Sequence, residues 1–162
     1  MAKLKKELEG LNHLLESYLD AKNTYVHISE EEHNLDIKRF YNTQITLRNK
    51  FVNDLTGIIR SLGGKPRVTS VIGSVQRNFS DIVSSIIQLD SKKALNKSLK
   101  KDGGCITIAN ELIKNSELPN EIIATLFSQR SRIIEACETA QDFLVSVKNR
   151  GHMKVVGLNT SL

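Results

Sequence analysis

The amino-acid sequence predicts an all-α protein built as a bundle of four long helices. The chain has 162 residues but two prolines and no tryptophan, which argues against the frequent turns and aromatic strands of a β fold. Apolar residues recur instead every three or four positions, the spacing of one helix face. The length suits one domain with a core of its own.

The first helix is predicted over residues 2–28. Its apolar stripe alternates steps of three and four residues, and Lys22 occupies the one polar position. The stripe consists of Leu4, Leu8, Leu11, Leu15, Tyr18 and Tyr25. An acidic connection follows over residues 29–36, and its carboxylates suit the N-terminus of the next helix.

The second helix is predicted over residues 35–62, with Gln44 and Asp54 at or near its stripe. Its apolar positions are Ile37, Phe40, Leu47, Phe51, Leu55, Ile58 and Leu62. Gly63 follows the last of these directly, and Pro66 comes three residues later. Glycine just past a helix and proline soon after it form a strong stop signal.

Three further helices are predicted over residues 69–89, over residues 91–115 and from about residue 120 to Gly151. Asp102 lies inside the fourth helix and Arg130 near the interior face of the fifth. We expect one helical domain over residues 1–150. The remaining residues, 151–162, are expected to form a C-terminal tail, because no apolar pattern continues there.

The lengths of these segments favour one topology. The first, second, fourth and fifth helices are the long ones, and an up, down, down, up order requires a connection across the full bundle. The third predicted helix, about 30 Å long at 1.5 Å per residue, spans that distance. This is a ferritin-like four-helix bundle with a helical crossover. An up-down bundle of the first, second, third and fifth helices is the alternative.

Three stretches carry motifs of a known family. The most specific is RNKFVNDLTGIIRSLGGKP (48–66) followed by SVIGSVQRNFSDI (70–82), and the others are LNHLLESYLDAKNTY (11–25) and LPNEIIATLFSQ (118–129). Together they resemble a bacterial, stress-associated family of unknown function that is described as ferritin-like four-helix bundles. The resemblance implies the same fold over about residues 3–148.

The chain departs from that family where an interior metal site would need its ligands. The family usually carries an acidic cluster around a glycine in the fourth helix, and here Lys101 and Gly104 occupy the two glutamate positions. The last helix of the family often carries an Ala-His pair, whereas this chain has Cys137 at the histidine position. The resemblance therefore extends to the fold more securely than to metal chemistry.

The sequence predicts neither a cofactor nor a catalytic site. A ferritin-like di-iron site needs two glutamates and two Glu-x-x-His motifs that point inward. The chain has one such motif, Glu30 to His33, in the acidic connection. No nucleophile with a base and an orienting acid is recognisable either. If a metal binds, we expect a weak, peripheral ion near Glu30, Glu32 and His33.

Five polar residues fall at or near the predicted interior of the bundle. They are Lys22, Gln44, Asp54, Asp102 and Arg130. Because unpaired buried charge is costly, we expect a structural polar layer in which a cation, Lys22 or Arg130, faces an aspartate, Asp54 or Asp102. A ligand pocket is the alternative interpretation. Cys105 and Cys137 are interpreted as buried, small apolar residues.

Charge is distributed unevenly around a net charge of +5. Residues 1–36 carry a net charge of −4 and residues 37–101 carry +10. We expect the two segments to complement each other within the fold or across an oligomer. Binding of the basic segment to nucleic acid or an anionic surface is the alternative. It is not favoured, because no aromatic residues alternate with the basic ones to stack on bases.

The sequence predicts a cytoplasmic protein that associates with other protein chains. The chain lacks a run of about 20 apolar residues, a signal-peptide pattern and a disulfide framework. Apolar residues beside the core stripes favour a homo-oligomer, with a dimer first. These are Leu14, Leu19, Val83, Ile87, Ile123, Phe127 and Ile134. We predict a non-enzymatic bundle that oligomerises or binds a partner, with a degenerate metal-binding or redox bundle as the alternative.

Overall fold

A computed structural model describes residues 2–68 and 90–160, and side chains up to residue 149. The described residues form four helices and no strand. The helices are α1 (Ala2–Glu31), α2 (Leu35–Ser61), α3 (Ser91–Asn115) and α4 (Asn120–Thr160). They correspond to the first, second, fourth and fifth predicted helices. The predicted crossover helix, residues 69–89, lies outside the described residues, together with Val83 and Ile87.

The helix boundaries follow from capping side chains and one glycine. Asn34 caps α2, since its side-chain oxygen accepts hydrogen bonds from the backbone N–H groups of Asp36 and Ile37. Asp90 caps α3 in the same way by accepting from the N–H of Lys93. Gly63 ends α2 with φ 82°, a left-handed conformation that favours glycine.

The helices run in the order up, down, down, up, as predicted. Short connections make α2 antiparallel to α1 and α4 antiparallel to α3. Hydrogen bonds pair Tyr25 with Asp102 and Ser17 with Cys105, so α3 also runs antiparallel to α1. The chain leaves α2 beside the start of α1 and re-enters α3 at the opposite end of the bundle, where Ser91 bonds Glu32. The described helices thus form a ferritin-like four-helix bundle.

The core that the described residues form has two apolar clusters along the bundle axis. The larger, at the end where α1 begins, includes Leu11, Leu15, Leu55, Ile59, Ala109, Leu126 and Ile133. The smaller, at the other end, includes Ile28, Ile37, Phe40, Tyr41, Leu95, Ala136 and Ala140. Between the two clusters the interior carries polar side chains, which places a candidate site at the middle of the bundle.

The last helix is longer than the sequence predicts. It continues through Gly151 to Thr160, across the expected boundary between the domain and the tail at residues 151–162. Glycine inside a helix costs only about 1 kcal/mol relative to alanine, and no proline follows it here. The stop signal at Gly151 is therefore weaker than the Gly63–Pro66 signal that ends α2.

Within residues 2–68 and 90–160, no helix has both the length and the apolar composition of a membrane span.

Candidate functional site

The middle of the bundle contains an ion pair between α2 and α3. The Nη2 atom of Arg48 donates a hydrogen bond of 2.9 Å to Oδ1 of Asp102. The Arg48 side chain is 0% exposed and that of Asp102 is 1% exposed. Because neither charge contacts water, the cost of burying each one is offset only by the other charge and by nearby polar groups.

Neighbouring side chains complete the environment of this pair. The hydroxyl of Tyr25 donates a 2.5 Å hydrogen bond to the second carboxylate oxygen of Asp102. The Nη1 atom of Arg48 donates to the amide oxygen of Gln44 at 3.2 Å. The guanidinium carbon also lies 5.7 Å from the ring centre of Tyr25 and 5.6 Å from that of Phe51. These three side chains hold the arginine and the aspartate in a fixed geometry.

Burial and charge shift the pKa values of the three ionisable groups. Burial raises the pKa of the Asp102 carboxyl, although Arg48 and the Tyr25 hydroxyl act in the opposite direction. Burial is the largest single influence on the pKa of Arg48 and lowers it, but Asp102, Tyr25 and Cys105 together outweigh burial, so the pKa lies above its ordinary value. Burial, together with Asp102, raises the pKa of Tyr25. Tyr25 is therefore a stable hydrogen-bond donor at neutral pH.

A second set of polar contacts lies beside the ion pair. The hydroxyl of Tyr18 donates to the amide oxygen of Gln129 at 3.0 Å, and Ser17 Oγ lies 3.0 Å from Cys105 Sγ. Burial raises the pKa of Cys105 to about 12, and that of Cys137 to about 11. Both thiols are neutral at physiological pH, and a neutral thiol is a poor nucleophile.

The structure brings two of the five predicted interior residues together. Gln44 and Asp102 are both buried and are joined through Arg48. Lys22, Asp54 and Arg130 are partly exposed and lie outside this network. They differ from the expectation because each stands beside an interior position rather than on it. The guanidinium of Arg130, for example, donates to Asn110 near the surface, while its neighbour Gln129 is buried.

The residues that sequence reasoning missed are Arg48, Tyr25 as a donor to Asp102, and Gln129. The signal for Arg48 was present, because Gln44, Arg48, Phe51 and Leu55 follow the alternating four- and three-residue spacing of one helix face. Because Arg48 is charged, the sequence analysis assigned the interior position at this turn to its apolar neighbour Leu47.

Of the three predicted peripheral metal residues, Glu32 has structural partners. Glu32 is buried, and its Oε1 atom accepts hydrogen bonds from the backbone N–H of Asn34 and from Ser91 Oγ. This carboxylate joins the α1–α2 turn to the first turn of α3. Glu30 and His33 are exposed. In the part of the chain that the structure describes, no three His, Cys, Asp or Glu side chains form a metal-binding group.

The residues at the bundle centre do not fit a pair of iron ions. A di-iron site needs several inward carboxylates and imidazoles to balance the charge of the metals. Here the described centre offers one carboxylate, Asp102, which already binds Arg48 and Tyr25. A buried guanidinium would also repel the metal ions. The ion pair thus supplies the charge balance that metal and carboxylates provide in a di-iron bundle.

Ion pairs also connect the basic segment of the chain to its acidic beginning. Arg67 contacts Glu9 at 2.7 Å and Glu16 at 2.6 Å, and Lys101 contacts Asp20 at 2.6 Å. In each pair the cation belongs to residues 37–101 and the carboxylate to residues 1–36. Part of the uneven charge is therefore compensated within the fold.

Comparisons with known proteins agree with the fold. The family described as "Domain of unknown function (DUF2383)" matches residues 6–115. Among solved structures, the chain is similar to one described as "ferritin like, diiron-carboxylate proteins from Bacillus anthracis str. Ames", with a TM-score of 0.70 and 17% identity. That match covers 89% of this chain and 99% of the other. The comparison with curated proteins gave no match. At this identity, the structural likeness shows the fold alone.

Proposed function

The chain belongs to the DUF2383 family of unknown function, and from this membership and the ferritin-like bundle we propose that it is a non-enzymatic protein that acts by association. Its partner is a second copy of the chain or another protein. The observation that carries the proposal is the Arg48–Asp102 ion pair at the bundle centre, where both side chains are fully buried.

The ion pair supports a structural role for the centre of the bundle. A catalytic carboxylate needs access to substrate and a proton that it can exchange. Asp102 instead receives hydrogen bonds from Arg48 and Tyr25 on its two oxygens. The nearby thiol of Cys105 remains neutral because burial raises its pKa to about 12. These groups stabilise one packing arrangement of the helices and leave the outer surface for function.

Exposed apolar side chains support the association. Of the apolar residues expected beside the core, Leu14 and Leu19 are instead buried in it, whereas Phe127 and Ile134 on α4 are 52% and 38% exposed. Val145, also on α4, is 60% exposed. Single exposed apolar residues are ordinary, but several large ones on one helix are typical of a contact surface. A dimer is the simplest assembly that would cover them.

A metal-binding bundle is the second candidate, since the solved structure that this fold resembles is described as a diiron-carboxylate protein. The donor set here argues against it, because the buried Arg48 places a positive charge beside Asp102, the one carboxylate of the described centre. Elemental analysis of untagged protein after dialysis against a chelator separates the candidates, with iron oxidation and peroxide consumption as activity assays.

The expected result is no stoichiometric iron and no catalysed turnover. Iron that is retained at one or more ions per chain, and lost in Asp102→Ala, would overturn the proposal. The matched control is Glu32→Ala, because loss of metal in that variant alone identifies a peripheral ion outside the core. Light scattering on the same samples gives the mass in solution, and we expect that of a dimer.

A further inference from the structure

The exposed apolar residues of α4 lie along one line. Phe127 and Ile134 are 7 residues apart, and Val145 follows 11 residues later. At about 100° per residue, all three fall within about 20° of one direction around the helix axis. The line is about 27 Å long at a rise of 1.5 Å per residue. It lies about 90–170° around the helix from Leu126, Ile133, Ala136 and Ala140, the apolar residues that α4 buries in the core.

Opposite charges flank the line on its two sides. Arg130 and Lys148 lie about 60° to one side of Phe127, and Glu135 and Asp142 lie about 60–80° to the other. The position of Arg130 is fixed, since it donates to Asn110 and its guanidinium carbon lies 4.5 Å from the ring centre of Phe127. The line therefore has a basic edge and an acidic edge.

This arrangement is complementary to itself in one orientation. When two copies pair around a twofold axis parallel to α4, the basic edge of each copy meets the acidic edge of the other. An antiparallel pairing would bring like edges together. In parallel pairs of helices, charged residues five positions apart meet across the interface. That spacing joins Arg130 to the partner's Glu135.

We propose that two copies of the chain associate through this line, with their α4 helices side by side and parallel. The inference rests on the proposed function and specifies its partner as a second copy and its surface as α4. Phe127, Ile134 and Val145 each meet the same residue of the partner. Glu138 lies only about 20° from the line, so two like charges approach each other there and weaken the pairing.

The first test compares the mass of four proteins by light scattering over a range of concentrations. Ile134→Glu should abolish the dimer, because it places two unpaired charges at the axis, and the dissociation constant should rise at least about 100-fold. Leu35→Glu is the matched control, since Leu35 is 69% exposed but lies on α2, and it should leave the dimer unchanged. Glu138→Leu should tighten the dimer. Circular dichroism confirms that each variant folds.

The second test determines the orientation by a charge exchange. Arg130→Glu or Glu135→Arg alone should weaken the dimer about 3- to 10-fold, because each breaks two exposed ion pairs per dimer. The double variant should return to within about 3-fold of the wild type. A double variant that is weaker than either single one would overturn the parallel arrangement.

The third test uses disulfide crosslinking in a Cys137→Ser background. Ile134→Cys and Val145→Cys should each form a crosslinked dimer, because a parallel twofold axis brings each residue on the line next to the same residue of the partner. The two positions are about 17 Å apart along the helix, so an antiparallel pairing crosslinks at most one of them. A dimer that survives Ile134→Glu overturns the inference but leaves the proposed association intact. A wild-type monomer overturns the inference, whereas retained iron that is lost in Asp102→Ala, or catalysed turnover, overturns the proposed function.

Discussion

Removing the carboxylate of the central ion pair should strongly destabilise the protein. In Asp102→Ala, the Arg48 guanidinium stays at 0% exposure but loses the anion at 2.9 Å. The Tyr25 hydroxyl loses its acceptor at the same time. Neither group can reach water without disturbing the helices. The unpaired charge of Arg48 and the unpaired hydroxyl of Tyr25 therefore both destabilise the folded state.

The size of the effect follows from the burial of both partners. Breaking a fully buried ion pair by removing one partner costs about 3–5 kcal/mol, since an uncompensated charge remains in the interior. For a chain of this length, each kcal/mol lowers the melting temperature by about 2–4 °C. We therefore expect the melting temperature to fall by about 6–20 °C. The loss of about 3–5 kcal/mol is a large fraction of the roughly 5–15 kcal/mol that stabilises a domain.

Two further variants separate the unpaired charge from lost packing. Arg48→Met with Asp102→Leu replaces both charges by apolar side chains of similar volume, which is often neutral or stabilising, and should recover most of the stability. Lys101→Ala breaks an ion pair with Asp20 whose partners are 35% and 43% exposed. Solvent screens that pair, so the change should be about 0.2–1 kcal/mol.

The assay is urea unfolding followed by far-ultraviolet circular dichroism. A free energy of unfolding for Asp102→Ala within about 1 kcal/mol of the wild type would contradict the prediction, because Arg48 would then have found another anion or water. A double variant as unstable as the single one would contradict it equally. That outcome would assign the loss to packing rather than to the isolated charge.

Four other predictions test separate parts of the structure. Burial raises the pKa of the Cys105 thiol to about 12 from its ordinary value of 9.0. The folded state thus holds that proton more tightly than the unfolded state. The contribution of this thiol to the free energy of unfolding is complete below about pH 9 and is lost as the pH rises towards 12. Equal urea midpoints at about pH 8 and about pH 10.5 would contradict this prediction. Gly104→Ala should raise the free energy of unfolding by about 0.5–1 kcal/mol, because a Cβ there meets nothing within 4 Å. Gly63→Ala should lower it by about 1–2 kcal/mol because φ is 82°, and urea titrations showing the opposite signs would refute both. Asn34→Ala should cost about 1 kcal/mol by removing the cap of α2, while Asn49→Ala on the exposed face of the same helix should leave the urea midpoint unchanged.

The sequence is sufficient to predict the helices and most of their ends. Apolar spacing located α1, α2 and α3, because each buries one continuous face. The Gly63–Pro66 signal placed the end of α2 within one residue. The end of α4 was not predictable in the same way, since Gly151 alone does not stop a helix that has no proline after it.

The central site was only half predictable. Gln44 and Asp102 follow from their positions on the interior faces of two helices. Arg48 does not, because hydrophobicity favours the adjacent Leu47 at the same turn of α2. The choice between them depends on Asp102, which is 54 residues away in the chain and reaches Arg48 only in the folded bundle. One-dimensional spacing contains no information about that partner.

The many contacts of α1 affect how the chain folds during its synthesis. Tyr25, Ser17 and Tyr18 bond side chains that are 77, 88 and 111 residues later in the sequence. At about 5–20 residues per second, a ribosome needs roughly 6–20 s to add the last of these partners. The first helix to be made must wait through that interval with its apolar face incompletely covered. Nascent chains of this protein are therefore expected to depend on chaperones until α4 emerges.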